Sequence, residues 1–479
     1  MSSQFTKEQL KFIKHKTSDS VILTATAGSG KTASATGRLI WLLEQGVKPS
    51  KIIFFSFTND AVNELKSRIK NPKVNITTIH SFCMTALGKS RKLKKIADFH
   101  HFINWYKSKC SPGPKARMDE KILFKRRLAR LEDQPEYFSS QISKYKMLLQ
   151  DNVKSRLPDY YIEYCKFLKT TGSRDFTDML VETYRLTDSR YWDDEVYKKY
   201  DYVFVDEYQD TSALQMKILL KMKAKTYHLI GDRNQSIYSF TGSNCLMIEK
   251  LLKEDRPTVE YSLSKNFRSD TSIVEHSNNY SSLKAVAHSE KEGSVNLRLI
   301  DEKELLEMMK QKDVVMLVRT NSVIRELEEK FLIKKIPMRY HNIFSEDELA
   351  IIRSKKGVTP QLNRKLKRIL PKFGKASEMI AFIDEHAEKK TFITTIHKSK
   401  GREFPTCVII NSLSPHVIDY NGLELDDKQL KNLSFDPDIQ EYRSQRIFLH
   451  LFQFLPFFLH EILPMVLLDI LLLAFLVYF

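Results

Sequence analysis

A chain of 479 residues is long enough to bury two or more domain cores. Its formal charge of +18 and pI near 9.4 favour a polyanionic partner and exclude an acidic, self-solvating chain. Five scattered cysteines, without a CxxC pair or histidines at zinc spacing, exclude a disulfide scaffold or zinc finger. The first sixteen residues hold no apolar signal core, so the expectation is an intracellular protein, cytoplasmic or, in a eukaryote, nuclear.

In chain order, Phe5 to Lys14 reads as a short helix carrying Gln9, whose amide is suited to an adenine edge. Alone, it reads first as a solvated helix residue. Val21 to Thr32, VILTATAGSGKT, then ends an apolar β-branched run in a small-residue turn. Ala25, Thr26, Ala27, Gly28, Ser29, Gly30, Lys31 and Thr32 form a phosphate-binding loop pattern, with Ala25 in place of the usual first glycine. Gly28 and Gly30 let backbone N–H groups approach a polyphosphate. Lys31 supplies charge, and the Thr32 hydroxyl suits Mg²⁺. A helix from Ala33 to Glu44 should add its positive N-terminal end.

Lys51 to Phe57 is an expected buried strand, followed by Thr58, Asn59 and an amphipathic helix from Ala61 to Ile69. A second strand, Val74 to Ile79, runs into His80. Ligands of such α/β sheets sit beyond the strands' C-terminal ends, where Phe57 and His80 suit nucleic-acid contact. Taken singly, each reads first as a core aromatic and a capping histidine. Residues 88–174 turn helical, basic and aromatic, an insertion whose Trp105, Tyr106 and Tyr145 suit a single strand or simply solvated helices.

The sheet resumes at Tyr202 to Val205 and delivers Asp206 and Glu207. Asp206 would hold Mg²⁺, and Glu207 would position or deprotonate the attacking water. A further strand, Tyr227 to Ile230, leads to Gln235, placed to sense a γ-phosphate. Tyr238 and Phe240 beyond it are spaced to present aromatics to bases.

This ordered series resembles the UvrD/Rep/PcrA-like superfamily 1 DNA helicases. Gln9 resembles the Q motif, ATAGSGKT Walker A, FSFTNDAVNELKSRI motif Ia, and TIHSF the DNA-contacting segment after it. DFTDML resembles the return from the insertion, VFVDEYQDTSALQ motif II and IGDRNQSIYSFTG motif III. SKNFRSD resembles motif IV, in which Phe267 would stack on adenine and Arg268 contact the γ-phosphate. LVRTNSVIRELEEKF with IPMRY resembles the start of the second motor domain. TTIHKSKGREFPTCVII resembles motif V, in which His397 would touch the DNA backbone and Glu403 the ribose.

The resemblance implies an α/β fold of two RecA-like P-loop NTPase domains, residues 1–265 and 266–446. A helical insertion sits at about 88–174, and an accessory insertion is reduced to about 341–390. It implies catalysis by Lys31, Glu207, Gln235 and Arg268, with ATP and Mg²⁺ as cofactors and Thr32 and Asp206 as metal ligands. It also implies DNA contact by Phe57, Thr58, Asn59, His80, Tyr238, Phe240 and His397. The substrate would be single-stranded and partly duplex DNA, with 3′ to 5′ movement, and no membrane partner is expected.

Four features depart from the family. Ala33 replaces an arginine after Thr32, and Phe240-Thr241 replaces a Trp-Arg pair. The accessory insertion is short. Motif VI should follow Glu441 to Arg446, yet residues 447–479 hold no Lys or Arg and are strongly apolar. Three readings of this tail stand: an interrupted reading frame, a membrane anchor, or buried core helices. Pro456, Pro464 and Asp469 weaken the anchor. Losing the motif VI arginine would slow turnover roughly 10³-fold or more, and Arg268 could cover part of that loss. The alternative function is a degenerate relative that binds ATP and single strands without productive unwinding.

Overall fold

The computed structural model describes residues 5–16, 18–90, 95–133, 135–150, 158–236, 245–296, 302–318, 321–354, 356–400 and 402–409. The chain divides into two compact units, Met1–Gly293 and Ser294–Phe479.

In the first unit, α1 (Lys7–Ile13), β1 (Ser20–Ala25), α2 (Lys31–Glu44), β2 (Ile52–Phe55), α3 (Asn59–Ile69), β3 (Asn75–Thr77) and α4 (Ile79–Ser90) alternate in the expected α/β order. Four helices follow, α5 (Phe99–Lys109), α6 (Met118–Asp133), α7 (Pro135–Gln150) and α8 (Asp159–Thr171). A two-residue parallel pair, β4 (Lys95–Ile96) and β5 (Ser173–Arg174), closes the base of this insertion. Aromatic rings fill its core: Phe102 packs against Tyr106, Tyr164 and Phe167. Of the aromatics considered for strand binding, Tyr106 is buried in that core, and Trp105 and Tyr145 pack partly buried against it.

The chain returns through α9 (Phe176–Leu186) and α10 (Arg190–Glu195) to β6 (Tyr202–Asp206), α11 (Ala213–Leu220), β7 (Thr226–Gly231), α12 (Cys245–Asp255) and β8 (Thr258–Leu263). The six long strands form one parallel sheet in the order β3-β2-β6-β7-β1-β8. Parallel strands covered on both faces must be apolar on both, which is why IIFF of β2 is wholly buried. Val21, Leu23, Phe54 and Phe204 face one layer, with α2 and α3. Ile22, Ile53, Val203 and Val205 face the other, with α9, α11 and Trp192.

A second parallel pair, β9 (Lys265–Asn266) and β10 (Val286–Ala287), flanks α13 (Thr271–Asn278). The expected start of a second domain at residue 266 thus falls inside the first compact unit. The reason is local: Asn266 and Phe267 hydrogen-bond to the phosphate loop.

The second unit holds α14 (Glu302–Lys310), β11 (Val314–Val318), α15 (Asn321–Ile333), α16 (Glu346–Ser354), α17 (Pro360–Ile369), α18 (Ala376–Glu385), β12 (Phe392–Thr395), α19 (Ile396–Ser399) and β13 (Thr406–Ile409). Its three strands are parallel in the order β12-β11-β13. The segment expected to be a reduced accessory insertion, about 341–390, holds α16 to α18. It shares the unit's core: Ile352, Leu362, Ile369 and Met379 join the same cluster as Met316 and Ile393. Among the described residues, no helix is long and apolar enough to cross a membrane. The tail from 447 to 479, with its three readings, and the motif VI position lie outside the described residues.

Candidate nucleotide site

The phosphate loop lies where β1 ends. Thr24 pairs with Gly231 of β7, and Asp206 of β6 pairs with Ile230 of the same strand. The ends of β1 and β6 are therefore level and one strand apart, about 10 Å, a gap the loop can bridge. Gly28 and Gly30 have φ of +67° and +80°, left-handed values that side chains resist. Ser29 turns the loop by donating from Oγ to the Thr26 carbonyl at 2.5 Å, and Thr26 N–H donates to the Leu263 carbonyl at 3.1 Å. Helix α2 starts at Lys31, two residues before the sequence expectation, so Lys31 and Thr32 occupy its first turn. Arg38 anchors that helix from within: it is buried, donates to the Ile13 and His15 carbonyls, and passes Nε to His228 Nε2 at 3.3 Å. Burial lowers its pKa to about 10.

Two neighbours hold the loop. Gln9 is buried, and its Nε2 donates to the Ser29 carbonyl at 3.1 Å while its Oε1 accepts from Thr6 N–H. The amide expected at an adenine edge is here bonded to the loop and to the cap of its own helix. Asn266 Nδ2 donates to the Ala27 carbonyl at 3.0 Å, and Phe267 N–H donates to the Gly28 carbonyl at 2.9 Å. Asn266 Oδ1 accepts from the N–H groups of Arg268 and Ser269, both at 2.8 Å. A Cβ on Gly28 would lie 2.7 Å from Arg268 Cβ. The fold therefore sets Arg268 directly beside the phosphate loop. Phe267 stays 43 % exposed, in a T-shaped pair with His288 and with Lys265 Nζ 5.6 Å from its ring centre.

On the acidic side, Asp206 is buried and Glu207 adopts φ +54°, which turns its carboxylate out of the strand. Burial and the Glu207 carboxylate raise the Asp206 pKa well above the aspartate range, and Lys31 offsets only part of this. A divalent cation would favour the ionised form, so a hard oxygen donor in need of positive charge fits magnesium. Glu207 accepts a hydrogen bond from Gln209 Nε2. Gln209 is wholly buried, and its Oε1 accepts from Asp232 N–H at 3.1 Å. The Asp232 carboxylate in turn accepts from Gln235 Nε2 at 3.0 Å. A single buried glutamine thus connects Glu207 to the segment carrying Gln235. Asn266 and Gln209 were missed as site residues, although both stand inside the quoted motifs KNFRSD and DEYQD.

Among the nucleic-acid candidates, Phe57 is 44 % exposed at the end of β2. Thr58 caps α3, its Oγ1 accepting from Ala61 N–H at 3.2 Å, and Asn59 opens that helix. His80 lies in the first turn of α4 rather than at a strand end, edge-on to Phe176 at 5.7 Å. Burial lowers its pKa, so its ring is neutral. Tyr238 and Phe240 lie outside the described residues. His397 in α19 and the exposed Glu403 belong to the second unit.

A parallel sheet with a glycine-rich loop before a lysine-bearing helix, and an Asp-Glu pair one strand away, defines a P-loop nucleotide-binding protein. Residues 5–256, just over half the chain, match the family model of the UvrD/REP helicase N-terminal domain. The chain belongs to the UvrD/REP helicase family. It is 29 % identical to a probable DNA helicase II homolog of Mycoplasma capricolum, over 67 % of this chain and 49 % of the relative. It is 31 % identical to the ATP-dependent DNA helicase PcrA of Bacillus subtilis, over 55 % and 38 %. With the PcrA of Staphylococcus aureus the identity is 27 %, over 69 % and 50 %. The chain thus spans about half or less of the length of these relatives.

Proposed function

We propose that the chain is an ATP-dependent DNA helicase that moves along single-stranded DNA and parts duplex DNA by ATP hydrolysis. The family's 3′ to 5′ polarity belongs to this reading, as do two motor domains, residues 1–265 and 266–446. The observation that carries it is the clamp between the phosphate loop and Arg268, set level with the Asp206–Glu207 strand end.

In this reading the loop N–H groups and Lys31 bind the phosphates of ATP. Thr32 and Asp206 would hold magnesium, which would supply positive charge to the phosphates and polarise the phosphoryl oxygens. Glu207, oriented by Gln209, positions the attacking water and takes its proton. Gln235 and Arg268 respond to the γ-phosphate, Arg268 offsetting charge as the phosphoryl departs. Phe267 stacks on adenine, with Gln9 at its edge and Glu403 on the ribose. Phe57, Thr58, Asn59, His80, Tyr238, Phe240 and His397 track the strand.

The test is ATP hydrolysis by the purified chain, with and without single-stranded DNA, beside Lys31→Ala. DNA-stimulated hydrolysis that vanishes in the variant is the expected result. Binding of nucleotide and DNA with hydrolysis no faster than the variant's would instead mark a chain that binds without turnover.

A further inference from the structure

Glu207, the residue proposed to position the attacking water, has φ +54° and ψ +43°, a left-handed backbone that side chains resist. A residue in that region keeps its place only where its neighbours over-determine it. One grip is Gln209, two residues on, which bonds both Glu207 and the N–H of Asp232. A second grip takes the residue between them.

Tyr208 is wholly buried, and its hydroxyl donates to Glu249 Oε1 at 2.5 Å. Burial and this carboxylate raise the hydroxyl's pKa, so it stays a donor. Its ring lies against Gly231, where an added Cβ would meet Tyr208 Cδ1 at 2.6 Å. The ring is thus wedged against the end of β7 while its hydroxyl is pinned.

Glu249 stands on α12, only 3 % exposed, and takes a second partner. Arg233 donates Nε to Oε1 and Nη2 to Oε2, both at 2.6 Å, the paired geometry that fixes a carboxylate in direction as well as distance. Arg233 directly follows Asp232, whose N–H is bonded to Gln209 and whose carboxylate takes the Gln235 amide. One carboxylate on α12 therefore ties the residue after Glu207 to the residue after Asp232. Arg233 also reaches Glu260 at 3.2 Å, but that side chain is half-exposed and shared with Lys253, so the hold on the loop runs through Glu249. Replacing a buried ion pair by apolar side chains of similar volume is often neutral for stability. What three converging donors add is orientation.

We propose that Glu249 is a positioning residue for ATP hydrolysis: through Tyr208 and Arg233 it holds the Glu207 backbone in its left-handed conformation and keeps the Asp232–Gln235 segment in register with it. This deepens the helicase reading and rests on it.

The experiment is steady-state ATP hydrolysis by the full chain with saturating single-stranded DNA, for wild type, Tyr208→Phe, Glu249→Met and the double variant. ADP affinity and melting temperature are measured beside kcat and KM. Tyr208→Phe should lower kcat about 10-fold, with KM and ADP affinity within about 2-fold of wild type. Glu249→Met should lower kcat at least as far, and Tyr208→Phe should cost nothing further in its background, because the two act through one contact. Tyr208→Phe, which loses a single oxygen, carries the test even where Glu249→Met melts early. Leu252→Ala opens the core beneath the same helix and should lower the melting temperature while keeping kcat. Wild-type kcat in Tyr208→Phe, a rise in KM with kcat intact, or an equal kcat loss in Leu252→Ala would each overturn the proposal and leave the helicase reading standing. No hydrolysis by wild type would instead fell that reading, and the proposal with it.

Discussion

Asn266 reaches the phosphate loop with its side-chain amide, donating to the Ala27 carbonyl at 3.0 Å while its own oxygen takes the Arg268 N–H at 2.8 Å. One buried amide therefore sets the distance between the loop and the arginine. Asn266→Ala strands one carbonyl and two N–H groups in a dry site, at about 1–3 kcal/mol for each group left unpaired. ATP affinity should fall, and any hydrolysis should drop by about 10²-fold as Arg268 loses its place. Nucleotide titration beside a melting curve checks this. A variant with wild-type affinity and rate would show that Arg268 is held by other means.

Gln209 makes a separable prediction. Its amide donates to Glu207 and its carbonyl accepts from Asp232 N–H, so it would aim the proposed base, Glu207, from behind. Gln209→Leu should lower kcat by about 10- to 100-fold while KM for ATP stays within about 2-fold, the pattern of an interaction realised only in the transition state. A rise in KM with kcat intact would assign Gln209 to binding instead.

Much of this site was legible because motifs are short-range devices. ATAGSGKT, VFVDEYQD and KNFRSD each name a loop at a strand end, and hydrophobic runs such as KIIFF name the strand before it. The parts that escaped depend on contacts between distant segments. Asn266 meets Ala27 across 239 positions, and no periodicity foretells it. The same contact explains why the compact units divide at 293/294 rather than at residue 266, since segment 264–270 is bonded to the loop it serves. His80 moved from strand end to helix because Thr78 Oγ1, accepting from Ser81 N–H, starts α4 early. α16 to α18 read as the remnant of a separate body, yet Leu362 and Ile369 complete the core of the second unit.

Gly28 and Gly46 have left-handed φ of +67° and +86°, but only Gly28 is crowded. A methyl group on Gly28 would press on Arg268 Cβ at 2.7 Å and Asn266 Oδ1 at 2.8 Å, whereas one on Gly46 meets nothing within 4 Å. Gly46→Ala should cost only the backbone strain, about 1–2 kcal/mol, with nucleotide binding unchanged. Gly28→Ala should cost more and abolish tight nucleotide binding, because the loop and Arg268 must separate. Equal effects of the two substitutions on nucleotide affinity would contradict the crowding argument.

Lys146 fastens the helical insertion to α9. Its buried Nζ lies 2.7 Å from both Asp175 and Asp178, and Tyr164 adds its hydroxyl to Asp175. Lys146→Met leaves two carboxylates unpaired near the core, a loss of about 3–5 kcal/mol for a broken buried pair. The effect should be local: proteolysis should cut within 88–174 far faster, while the nucleotide site keeps its affinity. A wild-type cleavage pattern would show that the aromatic core holds the insertion unaided.

His228 lies fully buried, stacked on Phe204 at 4.4 Å, and accepts from Arg38 Nε. Burial, with Arg38 and His15 nearby, lowers its pKa well below 6.5, so the folded ring stays neutral. The unfolded ring takes a proton below about pH 6.5. The unfolded state then binds more protons than the folded one, and stability falls as the pH drops through that value. The slope from this group is at most about 1.4 kcal/mol per pH unit. His15, His80 and His341 are shifted the same way and should add to it, less strongly because they are less buried. Melting temperatures of wild type and His228→Gln at pH 7.5 and 5.5 check the assignment. The glutamine keeps an oxygen for Arg38 but cannot titrate, so its loss on acidification should be clearly smaller than that of wild type. Equal losses would place the acid sensitivity in the other histidines.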